Sequence, residues 1–315
     1  MANTTDVVNQ PPYPTVLKPY GQSLVELAKE RDEVVCFTGD LTRQCEIDLF
    51  QDAYQERFIH AGMAEANMIG MAAALARDGF IPFVHTFGVF ATRRPLDQII
   101  NAVAYPNLKV RILGFMPGVS SPGGPSHQAI DDVALMRAIP NMTVIDVADA
   151  VEVRQVPRAI ADVDGPVYVR LKRGEIPVIF GDQHRLSLDR ANVLTPVGGV
   201  VALLASGMML ASALAAARVL EAHGVSVTVV NVPVIKPLDA ATVTEVAVAG
   251  RGGPGRAAGR SVSHGCYRGN HELVRESPFR SSHTGAYSPP VAAATSATGG
   301  GPALESAAQA ASMIA

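Results

Sequence analysis

The sequence predicts an α/β protein whose first domain is a parallel sheet with helices on both faces, followed by a second, smaller α/β domain. One observation is that short, apolar, β-rich runs alternate with longer helical runs, which is typical of βαβ units. Another is the length of 315 residues, which is typical of about two domains. A third is a polar stretch at residues 181–196, which indicates a linker between them.

Buried strands are predicted in the first domain at residues 34–38, 81–86, 109–115, 142–147 and 167–171. Helical segments are predicted between them at residues 63–76, 89–104 and 128–138. In the second domain, a strand at 200–207, a helix at 208–223 and a strand at 225–230 repeat the alternation. From about residue 250 the alternation stops, and the composition is that of a low-complexity or disordered tail.

These patterns divide the chain into four parts. They are an N-terminal extension at 1–20, the parallel-sheet domain at 21–181, the smaller α/β domain at 182–249 and the tail at 250–315.

Composition excludes several classes of protein. Hydrophobic residues make up 48% of the chain and charged residues 17%, as in globular proteins, and the net charge of −3 gives no electrostatic reason to expect binding to nucleic acid or an anionic membrane. No apolar stretch is long enough to span a bilayer, and residues 1–19 lack the pattern of a targeting segment, so we expect a cytoplasmic protein. Cys36, Cys45 and Cys266 form no CxxC pair, which indicates neither disulfides nor a zinc site.

Glu65 is the most informative residue, because it is a single carboxylate at the start of the apolar run 63–76. That run is apolar on nearly every side, so we expect a helix buried all round. An unpaired carboxylate removed from water costs several kcal/mol or takes up a proton. Glu65 is therefore either a capping group that compensates the helix dipole or a functional residue.

Three further groups of residues could carry function. Phe87 and Phe90 follow a predicted strand, where ligands of parallel sheets bind, and could form a stacking surface or a core pair. His127 ends a turn-rich loop, where it could donate a proton, hold a substrate hydroxyl or simply lie at the surface. Three cations leave the last predicted strand and could hold a phosphate or be solvated: Arg170, Lys172 and Arg173.

Five motifs occur in an order that resembles a known family. They are Gly-Met-Ala-Glu65, Thr-Phe87-Gly-Val-Phe90, Asp97-Gln-Ile, Gly-Pro-Ser-His127-Gln and Arg-Leu-Lys-Arg173-Gly. Together they resemble the pyrimidine-binding half of thiamine-diphosphate transketolases, and most of all the stand-alone second subunit of split transketolases. The resemblance covers residues from about 18 to 249.

The resemblance implies roles for these residues. The family's matching glutamate hydrogen-bonds the ring nitrogen of the cofactor's aminopyrimidine and promotes removal of the thiazolium C2 proton, which is the role implied for Glu65. Phe87 and Phe90 match the aromatic residues that stack against the pyrimidine. His127 matches a histidine that contacts the donor ketose, and Arg173 an arginine that binds the substrate phosphate. Two further candidates for lining the pocket are His60 and His85.

The chain departs from the family pattern in two places. Gly123 stands where the family usually has an acidic residue four positions before the loop histidine, which indicates a changed contact to the sugar. The tail lacks the family's final strand and Gly-rich turn, and we hypothesise a frame-shifted or otherwise altered C-terminus.

A partner subunit is also implied by the resemblance. The family holds the cofactor's diphosphate and Mg²⁺ with Gly-Asp-Gly and Asn-Asn segments that this sequence lacks. We therefore expect no metal ligands here, self-association through the pyrimidine domain, and a heterotetramer with the separately encoded, diphosphate-binding subunit of a split transketolase.

The function implied is transfer of a two-carbon ketol unit from a ketose phosphate to an aldose. Alternatives are the beta subunit of a 2-oxoacid dehydrogenase, a deoxyxylulose-phosphate synthase, or an inactive relic that only dimerises.

Overall fold

A computed structural model describes residues 8–250 and the backbone of residues 260–263. Within these ranges the strands are β1 Thr15–Leu17, β2 Val34–Thr38, β3 Phe58–His60, β4 Ile81–Phe87, β5 Arg111–Phe115, β6 Thr143–Asp146, β7 Val167–Leu171, β8 Glu175–Pro177, β9 Asn192–Val193, β10 Val201–Ala205, β11 Val227–Asn231, β12 Val234–Lys236 and β13 Arg260–Ser263. The α-helices are α1 Pro19–Glu30, α2 Asp48–Ala53, α3 Glu65–Arg77, α4 Gly88–Arg93, α5 Leu96–Gln98, α6 Asp132–Ala138, α7 Ala150–Ala161, α8 Met209–Ala222 and α9 Ala240–Ala249.

Seven strands form the main sheet in the order β12-β6-β7-β5-β4-β2-β3. All neighbours in it are parallel except β12, which runs antiparallel to β6. The central strands are buried along their whole length, because helices cover both faces of the sheet. On one face α1 and α7 pack together, and on the other α3 and α6 contribute to a separate apolar cluster. The prediction of a mainly parallel α/β domain is confirmed.

A smaller sheet follows in the order β13-β10-β11-β9, with α8 packed against it. The predicted strands at 200–207 and 225–230 and the helix at 208–223 correspond to β10, β11 and α8. β13 pairs in parallel with β10, so residues 260–263 form a strand where the sequence predicted no regular structure. The rest of the predicted tail, including Cys266, lies outside the described residues. No helix among residues 8–250 is long and apolar enough to cross a membrane.

Two short strands pair across boundaries between parts of the chain that the sequence predicted to be separate. β1 lies within the predicted N-terminal extension, yet it pairs antiparallel with β8. β12 follows the second sheet in sequence but completes the edge of the first one. From β12, Lys236 donates through its Nζ to the backbone carbonyls of Arg137 and Ile139 at the C-terminal end of α6. The two α/β units are therefore joined by shared sheet pairing, whereas the predicted boundary at residue 181 stays a prediction.

The helix α3 corrects one expectation from the sequence. It was predicted to be buried all round, but it buries one face, formed by Glu65, Met68, Ile69, Ala72 and Ala73. Asn67 and Ala74 are exposed in this chain. Apolar composition alone does not show how many faces of a helix meet a neighbour, and the described neighbours of α3 are mainly β4, α5 and the segment Ile99–Ala104.

A buried polar cluster joins the main sheet to the smaller one. Arg170 on β7 donates to Asp132 at 2.9 Å and to Asp146 at 2.8 Å, and the Tyr168 hydroxyl donates to Asp132 at 2.7 Å. Ser206, which follows β10, donates to the Asp146 carboxylate at 3.1 Å. Burial disfavours the charge of the Arg170 guanidinium, but attraction to the two carboxylates outweighs that effect and raises its pKa. One of the three cations that the sequence offered as phosphate ligands is thus a structural residue.

Replacing Arg170 by Met should destabilise the chain strongly, because it leaves the Asp132 and Asp146 carboxylates buried without their cation. We expect a loss of about 3–5 kcal/mol in the free energy of unfolding, measured by urea denaturation. Arg190→Met, at an exposed position, is the control and should change stability by less than about 0.5 kcal/mol. Equal stability of the two variants would contradict the structural role of this cluster.

His85, a sequence candidate for lining the pocket, lies in the core and is fully buried. Its Nδ1 is 3.0 Å from the Phe37 carbonyl oxygen, which can only accept, so Nδ1 carries the proton. Its Nε2 therefore accepts from the Tyr20 hydroxyl at 2.7 Å. Burial lowers the pKa of His85 to about 4, because the charged form would lose its hydration. His85 is thus a neutral core residue, and the structure does not bring it to the pocket.

The lowered pKa of His85 predicts a loss of stability in mild acid. The unfolded chain takes up a proton near pH 6.5 and the folded chain only near pH 4, so stability is complete above pH 6.5 and falls as the pH drops toward 4. This single group should remove about 2 kcal/mol from the free energy of unfolding between pH 7 and pH 5. His85→Gln should reduce that difference, whereas the exposed-residue control His60→Gln should retain it. An unchanged pH difference in His85→Gln would refute this assignment.

Candidate active site

The candidate site lies where the strands of the main sheet end. Glu65 begins α3 shortly after β3, Phe87 is the last residue of β4, and His127 lies in the loop that follows β5. Because these strands are parallel, their carboxyl ends meet at one edge of the sheet, which is where ligands of open α/β sheets bind. The topology therefore gathers residues that are far apart in sequence.

The Glu65 carboxylate is buried, with only 3% of its side chain exposed. Its Oε1 accepts a hydrogen bond of 2.7 Å from Nη1 of Arg94, whose side chain is 49% exposed. The residue stands in the first turn of α3, as predicted, so the helix dipole also favours its negative charge. Dipole compensation and a functional role are both compatible with this position, and the partner of the buried carboxylate is a half-exposed guanidinium.

Beside this carboxylate, two phenylalanines form an aromatic surface. The rings of Phe87 and Phe90 are stacked, with centroids 6.2 Å apart and planes inclined by 21°. Phe87 packs into the main core, whereas Phe90 is partly buried and packs on the edge of that core. The Arg94 guanidinium carbon lies 4.0 Å from the centroid of the Phe90 ring, so the same arginine contacts both the carboxylate and the aromatic surface.

His127 completes the group. Its imidazole meets Phe90 edge-on at 5.2 Å between centroids and Phe87 at 6.4 Å. The ring is partly exposed, and its Nδ1 is 3.0 Å from the Ser126 hydroxyl oxygen. The structure thus brings together four of the residues predicted from the sequence: Glu65, Phe87, Phe90 and His127.

The loop that carries His127 is shaped by its glycines. Gly124 has a φ of 75° and precedes the turn Pro125–His127, whose histidine meets the two aromatic rings. A Cβ atom on Gly123 would lie 2.7 Å from Cγ of His127. The absence of a side chain at position 123, which departs from the family pattern, therefore leaves room for the imidazole where it stands.

Two other candidates lie at the same edge of the sheet but outside this group. His60 ends β3 and is exposed, with its Nε2 3.1 Å from the Asp40 carboxylate. Arg173 is exposed in the loop after β7, near Cys45, where burial raises the pKa of the thiol and the positive charge of Arg173 opposes that rise. Both remain available to bind a substrate that extends beyond the aromatic surface.

Sequence reasoning missed Arg94. It follows the last turn of α4, four residues after Phe90, a spacing that places the two side chains on one face of a helix. That spacing was a signal for the contact with Phe90. The ion pair with Glu65, 29 residues away in sequence, depends on how the fold brings the end of α4 close to the start of α3 and had no local signal.

The residues of this site fit the aminopyrimidine half of thiamine diphosphate. A flat heteroaromatic ring can lie on Phe90, and a buried carboxylate beside it can receive a ring N–H. Among residues 8–250, no group of three or more His, Cys, Asp or Glu side chains is placed to hold a metal ion.

Comparison with known proteins identifies the family. Residues 13–178 match the transketolase pyrimidine-binding domain and residues 189–252 the transketolase C-terminal domain. A transketolase family protein of Sinorhizobium fredii is 41% identical over 231 residues, covering 73% of this chain and 67% of the relative. A 6-deoxy-6-sulfo-D-fructose transketolase subunit of a Clostridium species is 40% identical over 230 residues, covering 73% and 71%.

Structural comparison agrees. A split-gene transketolase, described as an inactive β4 tetramer, superposes with a TM-score of 0.70 at 37% identity and covers 80% of each chain. 1-Deoxy-D-xylulose-5-phosphate synthases also match; that of Synechococcus is 32% identical over 242 residues, and this chain covers 37% of it. The order of motifs, the fold and these relatives together show that the chain belongs to the transketolase family.

Proposed function

We propose that this chain is the pyrimidine-binding subunit of a split, thiamine-diphosphate-dependent transketolase. It would transfer a two-carbon ketol unit from a ketose phosphate to an aldose together with a separate diphosphate-binding subunit. The observation that carries the proposal is the buried Glu65 carboxylate beside the stacked Phe87 and Phe90 rings. Relatives named as a split-gene transketolase and as a transketolase subunit support the need for a partner.

Each residue of the site has a task in this proposal. Thiamine diphosphate, when bound, supplies the carbon nucleophile that carries the ketol unit between sugars. Glu65 holds a proton at the pyrimidine ring nitrogen, and its burial strengthens that hydrogen bond because little water competes. Phe90, backed by Phe87, orients the ring and excludes water from its face.

His127 and Arg173 are assigned to the sugar. The imidazole at the edge of the Phe90 ring can donate a hydrogen bond to a hydroxyl or carbonyl oxygen near the reacting carbon. The exposed guanidinium of Arg173 can pair with the anionic end of the donor. His60 is a further candidate for a hydroxyl contact at the same edge. The diphosphate and Mg²⁺ are assigned to the partner, and a cytoplasmic location stays a prediction from the sequence.

A sulfonated ketose is a second candidate donor. The Clostridium relative is named for 6-deoxy-6-sulfo-D-fructose, whose sulfonate is an anion that Arg173 could bind as it would a phosphate. Position 123 also indicates a substrate that differs from the family's usual sugars, because Gly123 has no side chain that could contact a sugar hydroxyl. The similarity to 1-deoxy-D-xylulose-5-phosphate synthases keeps that reaction as an alternative.

Glu65→Gln tests the proposal in the chain assembled with its diphosphate-binding partner. An amide cannot exchange the proton with the ring nitrogen as the carboxylate does, so turnover of ketose donors should fall by at least about 100-fold. Size-exclusion chromatography should show the same assembly as wild type. Phosphorylated ketoses, sulfonated ketoses and 2-oxoacids are compared as donors.

Wild-type activity in Glu65→Gln would contradict the proposal, and so would turnover by the purified chain without any partner. Absence of activity in the assembled wild type with every donor would favour the relic that only assembles.

A further inference from the structure

Arg94 makes two contacts at the centre of the candidate site. Its Nη1 donates to Oε1 of Glu65 at 2.7 Å, and its guanidinium carbon lies 4.0 Å from the centroid of the Phe90 ring. The guanidinium therefore occupies the space that is bounded by the buried carboxylate and the exposed side of the aromatic surface. A ligand that contacts both Glu65 and the Phe90 ring must therefore displace the Arg94 side chain.

The chemistry of these two contacts matches that of an aminopyrimidine. A guanidinium is planar and delocalised, it stacks on aromatic rings, and it donates N–H groups in its plane to carboxylates. A protonated aminopyrimidine is also planar, stacks on aromatic rings and donates a ring N–H. One side chain of the protein thus makes both contacts that the proposed function assigns to the pyrimidine ring of the cofactor.

The two members of the ion pair differ in how strongly the charge of each depends on its partner. The Glu65 side chain is 3% exposed and loses most of its hydration, so its charge depends on a partner. The Arg94 side chain is 49% exposed and can remain hydrated without the carboxylate. Arg94 is therefore the mobile member of the pair, and it can leave for solvent if another donor replaces it at Glu65.

We propose that Arg94 is a resident substitute for the cofactor's pyrimidine, filling the Glu65–Phe90 site in the free protein and leaving it when the cofactor binds. This inference rests on the proposed function. It assigns a regulatory contact to the same site: cofactor binding requires displacement of Arg94, and the buried carboxylate is paired both before and after the exchange.

Competition of this kind weakens cofactor binding by a calculable amount. If only a fraction of the molecules have Arg94 displaced, the apparent dissociation constant is the intrinsic one divided by that fraction. Removing the guanidinium should therefore tighten cofactor binding. This direction is unusual, because removing a residue that pairs with a buried carboxylate in a binding site usually weakens ligand binding.

Arg94→Met is the decisive variant, because methionine keeps much of the apolar stem but neither donates to Glu65 nor stacks as a cation. In the chain assembled with its diphosphate-binding partner, we expect the dissociation constant of thiamine diphosphate with Mg²⁺, measured by isothermal titration calorimetry, to fall about five- to tenfold. Arg93→Met is the matched control: Arg93 is the neighbouring arginine, its ion pair is with Asp131, and its loss should leave the affinity unchanged. Arg94→Lys, which keeps the charge but not the planar stack, should lie between wild type and Arg94→Met.

The Glu65→Gln background separates this inference from the proposed function. The Glu65→Gln variant weakens the interaction that keeps Arg94 in the site. Adding Arg94→Met to it should therefore increase the affinity for thiamine diphosphate by less than roughly twofold. If Arg94→Met binds the cofactor as wild type does or more weakly, the substitute role is wrong, even where Glu65→Gln abolishes turnover and the proposed function stands. If Glu65→Gln leaves cofactor affinity and turnover intact, the proposed function fails, whatever Arg94→Met does.

Discussion

A buried carboxylate that must always have a partner is the constraint on which this site depends. Glu65 opens a helix whose buried face packs on the sheet, and only 3% of its side chain reaches solvent. In the described part of the chain, that requirement is met by Arg94 at 2.7 Å. The aromatic surface and the arginine that contacts it are arranged around this one charge, which exchanges one partner for another in the proposed mechanism.

The second α/β unit is tied to the loop that carries His127. Ser206 and Arg170 both donate hydrogen bonds to the Asp146 carboxylate. Arg170 and Tyr168 also donate to the carboxylate of Asp132, the first residue of α6. α6 follows the His127 loop directly, so this chain of hydrogen bonds fixes where the loop ends. Because buried polar networks of this kind favour one geometry, the network holds the start of α6 in place against β7 and the residue that follows β10.

The sequence predicted the parts of the fold that are encoded locally. The central strands were found because they are continuous apolar runs, whereas β12, three residues long, has no comparable signal and is defined by its pairing with β6. Glu65, Phe87, Phe90 and His127 could be singled out by residue type and position. Arg94 could not, since its ion pair depends on helix packing, and Arg170 looked like a solvated cation because its carboxylate partners lie 38 and 24 residues away.

A crystal structure of the chain assembled with its diphosphate-binding partner and thiamine diphosphate tests the account most directly. We predict that the aminopyrimidine ring lies against Phe90 with its ring nitrogen within hydrogen-bond distance of Glu65, and that the Arg94 side chain has moved to solvent. A structure in which the cofactor is bound while Arg94 still contacts Glu65 and Phe90 would contradict it.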